Sequence, residues 1–155
     1  MKRLTSLVLA VIISVGLLAT FTLPASSIST VTGMTVVYVD GENGTATGGA
    51  TPDKPAKSFV TAIRAVANAG GGTVVLTGPV EITGNTGIGS ADSGAVVKIT
   101  SVYDGNDYRN KGCLRFPENW KNLTLHNAFL FENMVIEVVG NNNSVYADHH
   151  PVVMG

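Results

Sequence analysis

Residues 58–77 read SFVTAIRAVANAGGGTVVLT, and this stretch decides the fold class. Its first half has the period of a helix. Phe59, Ile63, Val66 and Ala67 fall at i, i+4, i+7 and i+8, on one face of a 3.6-residue repeat. Ser58 suits the N-cap, because its hydroxyl can accept an orphan N–H of the first turn. Gly70, Gly71 and Gly72 end the helix, since glycine enters left-handed conformations without a Cβ penalty. The spacing predicts a helix over 58–69 with Arg64 and Asn68 on its outer side. Thr73 to Thr77 is β-branched and apolar, a strand that Gly78-Pro79 stops.

Upstream, the first 27 residues have the layout of a secretory signal peptide. Lys2 and Arg3 form the basic region, Leu7 to Leu18 is an apolar core, and Ala25-Ser26-Ser27 offers a small-x-small cleavage site. The apolar run is short of the ~20 residues that a membrane span needs. The expected mature chain is therefore 28–155, secreted or held at the cell surface, with no membrane partner beyond the signal peptide. Cys113 is the single cysteine, so no intrachain disulfide forms, and its place at the head of Cys113-Leu114-Arg115-Phe116 predicts partial burial.

Length and charge narrow the classes. A chain of 155 residues suggests one domain, and a formal net charge of −1 gives no electrostatic case for nucleic acid. Only 14% of residues are charged and 18 are glycine, which leans towards a turn-rich, all-β protein. Thr35 to Val39 reads as a strand, and 40–54 as a Gly/Thr/Asn loop. That loop lacks the G-x-x-x-x-G-K-[ST] spacing of a phosphate loop. No cofactor is expected. Ca²⁺ is the one ion its acidic residues suit, through Asp40, Glu42 and Asp53, although the loop spacing of a dedicated calcium site is absent and Asx turns account for the same residues.

From Thr73 onward, short strands alternate with Gly, Asn and Asp. They read as 73–77, 80–83, 96–102, 113–116, 123–126, 129–131, 135–139, 144–146 and 152–154. Val74, Val97, Leu123 and Val145 form one series, Leu114 and Ile136 a second, and Phe129 and Val152 a third. Their common step of roughly 22–26 residues is what a solenoid with three strands per turn produces. The predicted fold is all-β: a right-handed parallel β-helix with an N-terminal capping helix at 58–69, truncated at its C-terminal side. A β-sandwich also yields strands every 8–12 residues or so and stays open as an alternative. It would favour hairpin turns, for which Asp104-Gly105, inside a longer loop, is the best case.

Tyr38-Val39-Asp40-Gly41, Thr51-Pro52-Asp53-Lys54-Pro55, Ser58-Phe59, Ala62-Ile63 and Gly71-Gly72-Thr73-Val74-Val75-Leu76 occur in an order that resembles the first segment of secreted bacterial parallel β-helix proteins of the pectate-lyase-like group. Ile99-Thr100-Ser101-Val102-Tyr103, Asp107-Tyr108-Arg109 and Phe131-Glu132-Asn133 are similar to large exported surface proteins of that group. The resemblance implies the fold and a bacterial origin. It implies function weakly, because such scaffolds serve lyases, hydrolases, adhesins and stalks alike. No catalytic motif of the group maps onto this chain, which looks like the N-terminal portion of a longer surface protein.

Two functions are therefore expected as alternatives. One is a scaffold or binding module whose partners are a polysaccharide or cell-surface glycan and the remainder of its own longer chain. The other is the N-terminal part of a polysaccharide lyase or glycoside hydrolase. Asp104, Asp107, Arg109, Lys111 and Arg115 form the densest charged cluster, and the first three are the candidates for catalysis. A solvated loop packed down by Tyr103 and Tyr108, with Asp107 and Arg109 paired at its surface, explains the same residues. Tyr103, Tyr108 and Trp120 are candidates for stacking on a sugar. His126, Asp148 and His149 are candidate metal ligands, a reading weakened because the adjacent His149 and His150 point to opposite faces of a strand.

Overall fold

A computed structural model of the protein describes residues 35–89, 94–147 and 152–154. The signal-peptide expectation, and with it Asp148, His149 and His150, lies outside the described residues. In chain order the elements are β1 (Val36–Val39), α1 (Phe59–Asn68), β2 (Gly72–Leu76), β3 (Val80–Glu81), β4 (Thr86–Ile88) and β5 (Val96–Thr100). There follow β6 (Val102–Tyr103), β7 (Asn106–Asp107), β8 (Cys113–Phe116), β9 (Asn122–Leu125), β10 (Ala128–Glu132), β11 (Val135–Val138), β12 (Ser144–Ala147) and β13 (Val152–Met154). The chain is mostly strand with one helix. No helix among the described residues is long and apolar enough to cross a membrane.

The helix is built as its residues dictate. The Ser58 hydroxyl accepts the Thr61 N–H at 3.2 Å. At the other end Gly71 donates to Val66 O and Gly70 to Ala67 O, the paired bonds of a Schellman ending, and Gly70 and Gly71 take the positive φ this requires. Phe59, Ala62, Ile63, Ala65, Val66 and Ala67 are buried, while Arg64 and Asn68 are exposed. The buried face packs against β1, β2, β4 and β5 and joins one continuous hydrophobic core.

Three sheets surround that core: β1-β2-β5-β10-β13, β3-β8-β11 and β4-β9-β12. Every pairing within them is parallel. Parallel neighbours cannot be joined by a tight hairpin, so each strand meets its partner only after the chain has visited the other sheets. Within β1, β9 and β10 burial alternates residue by residue, as a half-covered sheet demands. On the outer side Glu81, Arg115 and Glu137 stand in register across β3, β8 and β11. Arg115 bonds Glu137 at 2.7 Å and lies 3.6 Å from Glu81.

The register corrects part of the sequence reading. Leu114 pairs with Ile136, Leu123 with Val145, and Phe129 with Val152, as the spacing predicts. The series through Val74, Val97 and Leu123 is wrong. Val74 pairs with Ile99, Val97 pairs with Gly72 and Phe129, and Leu123 belongs to a different sheet, between Thr86 and Val145. The reason is an excursion, 101–112, that lengthens one circuit of the chain. Steps that avoid it are 22 residues long, as from Arg115 to Glu137, whereas Val97 to Phe129 spans 129−97=32. The run 96–102 is also two strands rather than one, because Thr100 turns its hydroxyl onto Val102 and breaks the ladder at Ser101. β4 is an additional strand that the sequence reading omits.

Candidate functional site

The excursion is a small hairpin. β6 and β7 pair antiparallel, with Val102 opposite Asp107 and Tyr103 opposite Asn106. Asp104 and Gly105 both have positive φ, 49° and 75°, the signature of a two-residue type I′ turn. Asp104-Gly105 is thus a true hairpin turn, but one set upon a parallel scaffold. The base of the excursion is tied shut. Tyr108 N–H donates to Ser101 O at 2.7 Å, and the buried Ser101 hydroxyl donates to Gly112 O at 2.8 Å. Gly112 lies so close to Leu76 O that a Cβ there would overlap it, which pins the return of the excursion against β2.

This folds the hairpin over the outer face of β1 and β2. Tyr38 points outward between the inward Val37 and Val39, and Tyr103 packs against it edge to face, ring centroids 6.1 Å apart. Val75, next to Tyr38 in the register, faces outward yet is fully buried. Partial burial raises the Tyr38 phenol above its ordinary range, and the nearby Tyr103, Tyr108 and Asp104 push it the same way. Tyr108 carries the Lys111 ammonium 5.8 Å from its ring centroid, within cation–π reach. The three tyrosines are half-buried, so each keeps part of its ring in solvent.

Asp107 and Arg109 form the flank. The Asp107 oxygens accept from Arg109 Nε at 3.0 and 3.1 Å and from Nη2 at 2.6 Å, and the Arg109 backbone N–H adds a further bond at 3.0 Å. These bonds hold the Asp107 carboxyl down at about 2 and raise the Arg109 guanidinium. Both groups stay charged near neutrality, which suits binding and positioning better than proton transfer.

The remaining sequence candidates are dispersed. Trp120 makes no ring contact with the tyrosines. It sits at a corner between β8 and β9, 70% exposed and with φ of 60°, an uncommon backbone for a bulky residue. The same left-handed corner recurs 22 residues on at Asn142, φ 58°. Asn141 N–H bonds Asn119 Oδ1 at 2.6 Å and Lys121 N–H bonds Asn143 Oδ1 at 2.7 Å, so the two corners stack. His126 follows β9 and donates its N–H to Ile88 O. Asp40 is buried, its carboxylate accepting from Glu42 N–H, Asn43 N–H and Asn43 Nδ2. No group of three His, Cys, Asp or Glu side chains gathers among the described residues. Cys113 is buried, and that burial raises its thiol.

An open cleft of about 530 Å³ lies between the start of α1 and β3, with Glu42, Lys57 and Glu81 on its rim. Its polar groups are engaged elsewhere: Ser58 in the helix cap and Glu81 beside Arg115. Tyr38 is the site residue that sequence reading missed. Its signal was the alternation of β1, which sends it outward, but its partner lies 65 residues away (103−38). No family model, curated protein or solved structure matches the chain.

Proposed function

We propose that the chain is a binding module of a secreted or cell-surface protein. In this reading its strands coil as a right-handed parallel β-helix, α1 covers the first coil, and the Tyr38–Tyr103–Tyr108 face holds carbohydrate. The coil is supported by wholly parallel sheets with 22-residue steps and by a helix whose apolar face joins the core. The single observation that carries the binding role is the aromatic face itself. Three half-exposed tyrosines are fixed by a tied hairpin, with the Asp107–Arg109 pair and Lys111 beside them. Ring faces suit the C–H surfaces of a sugar, and phenols and ion pairs suit its hydroxyls.

The lyase or hydrolase alternative calls for a carboxyl that gives up or takes a proton near neutrality. Asp107 is held far below that range by Arg109. A glycan-array screen followed by calorimetry tests the binding role. Tyr108→Ala is expected to weaken the captured glycan at least ~10-fold, given ~1–3 kcal/mol for a lost aromatic contact. Full binding by that variant, or no glycan bound at all, would overturn the reading.

A further inference from the structure

The two ends of the stack are finished differently, and the unfinished one is suited to a copy of itself. Beyond β11, β12 and β13 no described strand pairs, so three parallel edges stand open together. The residues that continue the inward columns are exposed there: Val138 at 58%, Val145 at 44% and Met154 at 66%. Between them lies an apolar hollow of about 210 Å³ lined by Leu114, Phe131, Ile136, Val145, Ala147 and Met154.

Edges of this kind are normally guarded by lysine, proline or inward charge. On these three strands the one charged side chain is Glu137, and it is already bonded to Arg115. Two such ends therefore meet without like-charge repulsion. A head-to-tail partner would need an open surface at the opposite end, where α1 lies over the core. That leaves end to like end. A copy turned over by a twofold axis runs its strands the opposite way, so open N–H and C=O groups face partners in antiparallel pairing, which is slightly the more stable kind.

We propose that the β11–β12–β13 end is the interface of a closed, twofold dimer of this chain, with side chains of each copy filling the hollow of the other. The argument rests on the reading of α1 as the cover of the first coil. Sedimentation equilibrium on the purified protein, from low micromolar to near-millimolar, tests it. The expected mass is twice that of the chain and grows no further with concentration. Val138→Lys combined with Val145→Lys, both on the exposed end, is expected to restore the monomer with an unchanged circular dichroism spectrum and melting curve. A monomer throughout the range overturns the dimer while leaving the cover intact. A mass that keeps climbing means that both ends are sticky and overturns the cover as well. A dimer that survives the double variant, folded, puts the interface elsewhere and also overturns the proposal.

Discussion

Leu123 and Val145 are neighbours in one column of one sheet, paired in register 22 residues apart, yet the first is fully buried and the second is half in water. Phe116 and Val138 repeat the contrast on the next sheet. Both members of each pair are apolar and both face inward. What differs is what lies on the far side. Leu123 and Phe116 have a coil on each flank and a core that α1 closes; Val145 and Val138 have a neighbour on one flank only. Burial in this architecture belongs to the stack rather than to the strand, because a single turn cannot cover its own apolar face.

The contrast can be broken most forcefully by emptying matched positions. Phe116→Ala is expected to cost about 3–5 kcal/mol, the range for a large buried side chain that leaves a cavity. Val138→Ala, measured at concentrations where the protein is monomeric, is expected to cost under about 0.5 kcal/mol. Chemical denaturation of the two variants checks this, and equal losses would erase the distinction between the ends.

A charge at the covered end probes the helix. Ile63→Asp sets an unpaired carboxylate among Val66 and the strands beneath, at an expected cost of roughly 2–4 kcal/mol. A wild-type melting curve for this variant would mean that α1 does not cover the core. Ser58→Ala is milder. It removes the oxygen that accepts the Thr61 N–H and is expected to cost about 1 kcal/mol, read as a small drop in melting temperature.

Much of this was legible in the chain. The helix, its serine cap and its glycine ending are local, and local chemistry fixed them. The later 22-residue steps were legible too, since nothing interrupts the chain from Leu114 to Val145. The register between β2 and β5 was not. Matching Val74 to Val97 instead of Ile99 is a slip of two residues, and a slip of two keeps every side chain on its own face, so alternation cannot detect it. Thr86-Gly87-Ile88 reads as a turn because Ile88 alone is apolar; only its pairing with Leu123 to Leu125 makes it a strand. The aromatic face was half legible. Tyr103, Tyr108, Asp107 and Arg109 are close in sequence, whereas Tyr38 joins them only through the fold.

The smallest expected effect lies on the flank, away from both ends. The Asp107 carboxyl is lowered to about 2 in the folded chain by the Arg109 side chain and backbone. A depressed carboxylate lends stability above its unfolded value of about 3.9 and loses it as pH falls through the folded one. Hairpin amides from Val102 to Arg109 are therefore expected to shift with a midpoint near 2 in an NMR titration. Because the pair is exposed, global stability should barely follow. A midpoint near ~4 would mean that the pair does not hold in solution.

Native-state hydrogen exchange, residue by residue on the dilute monomer, tests the central contrast most directly. The account predicts that amides of β2, β5, β8 and β9 exchange only through global unfolding, while those of β12 and β13 open far more readily, with β10 and β11 between. Equal protection from β2 to β13 would contradict it, because a stack with one covered end and one open end cannot be uniformly stable.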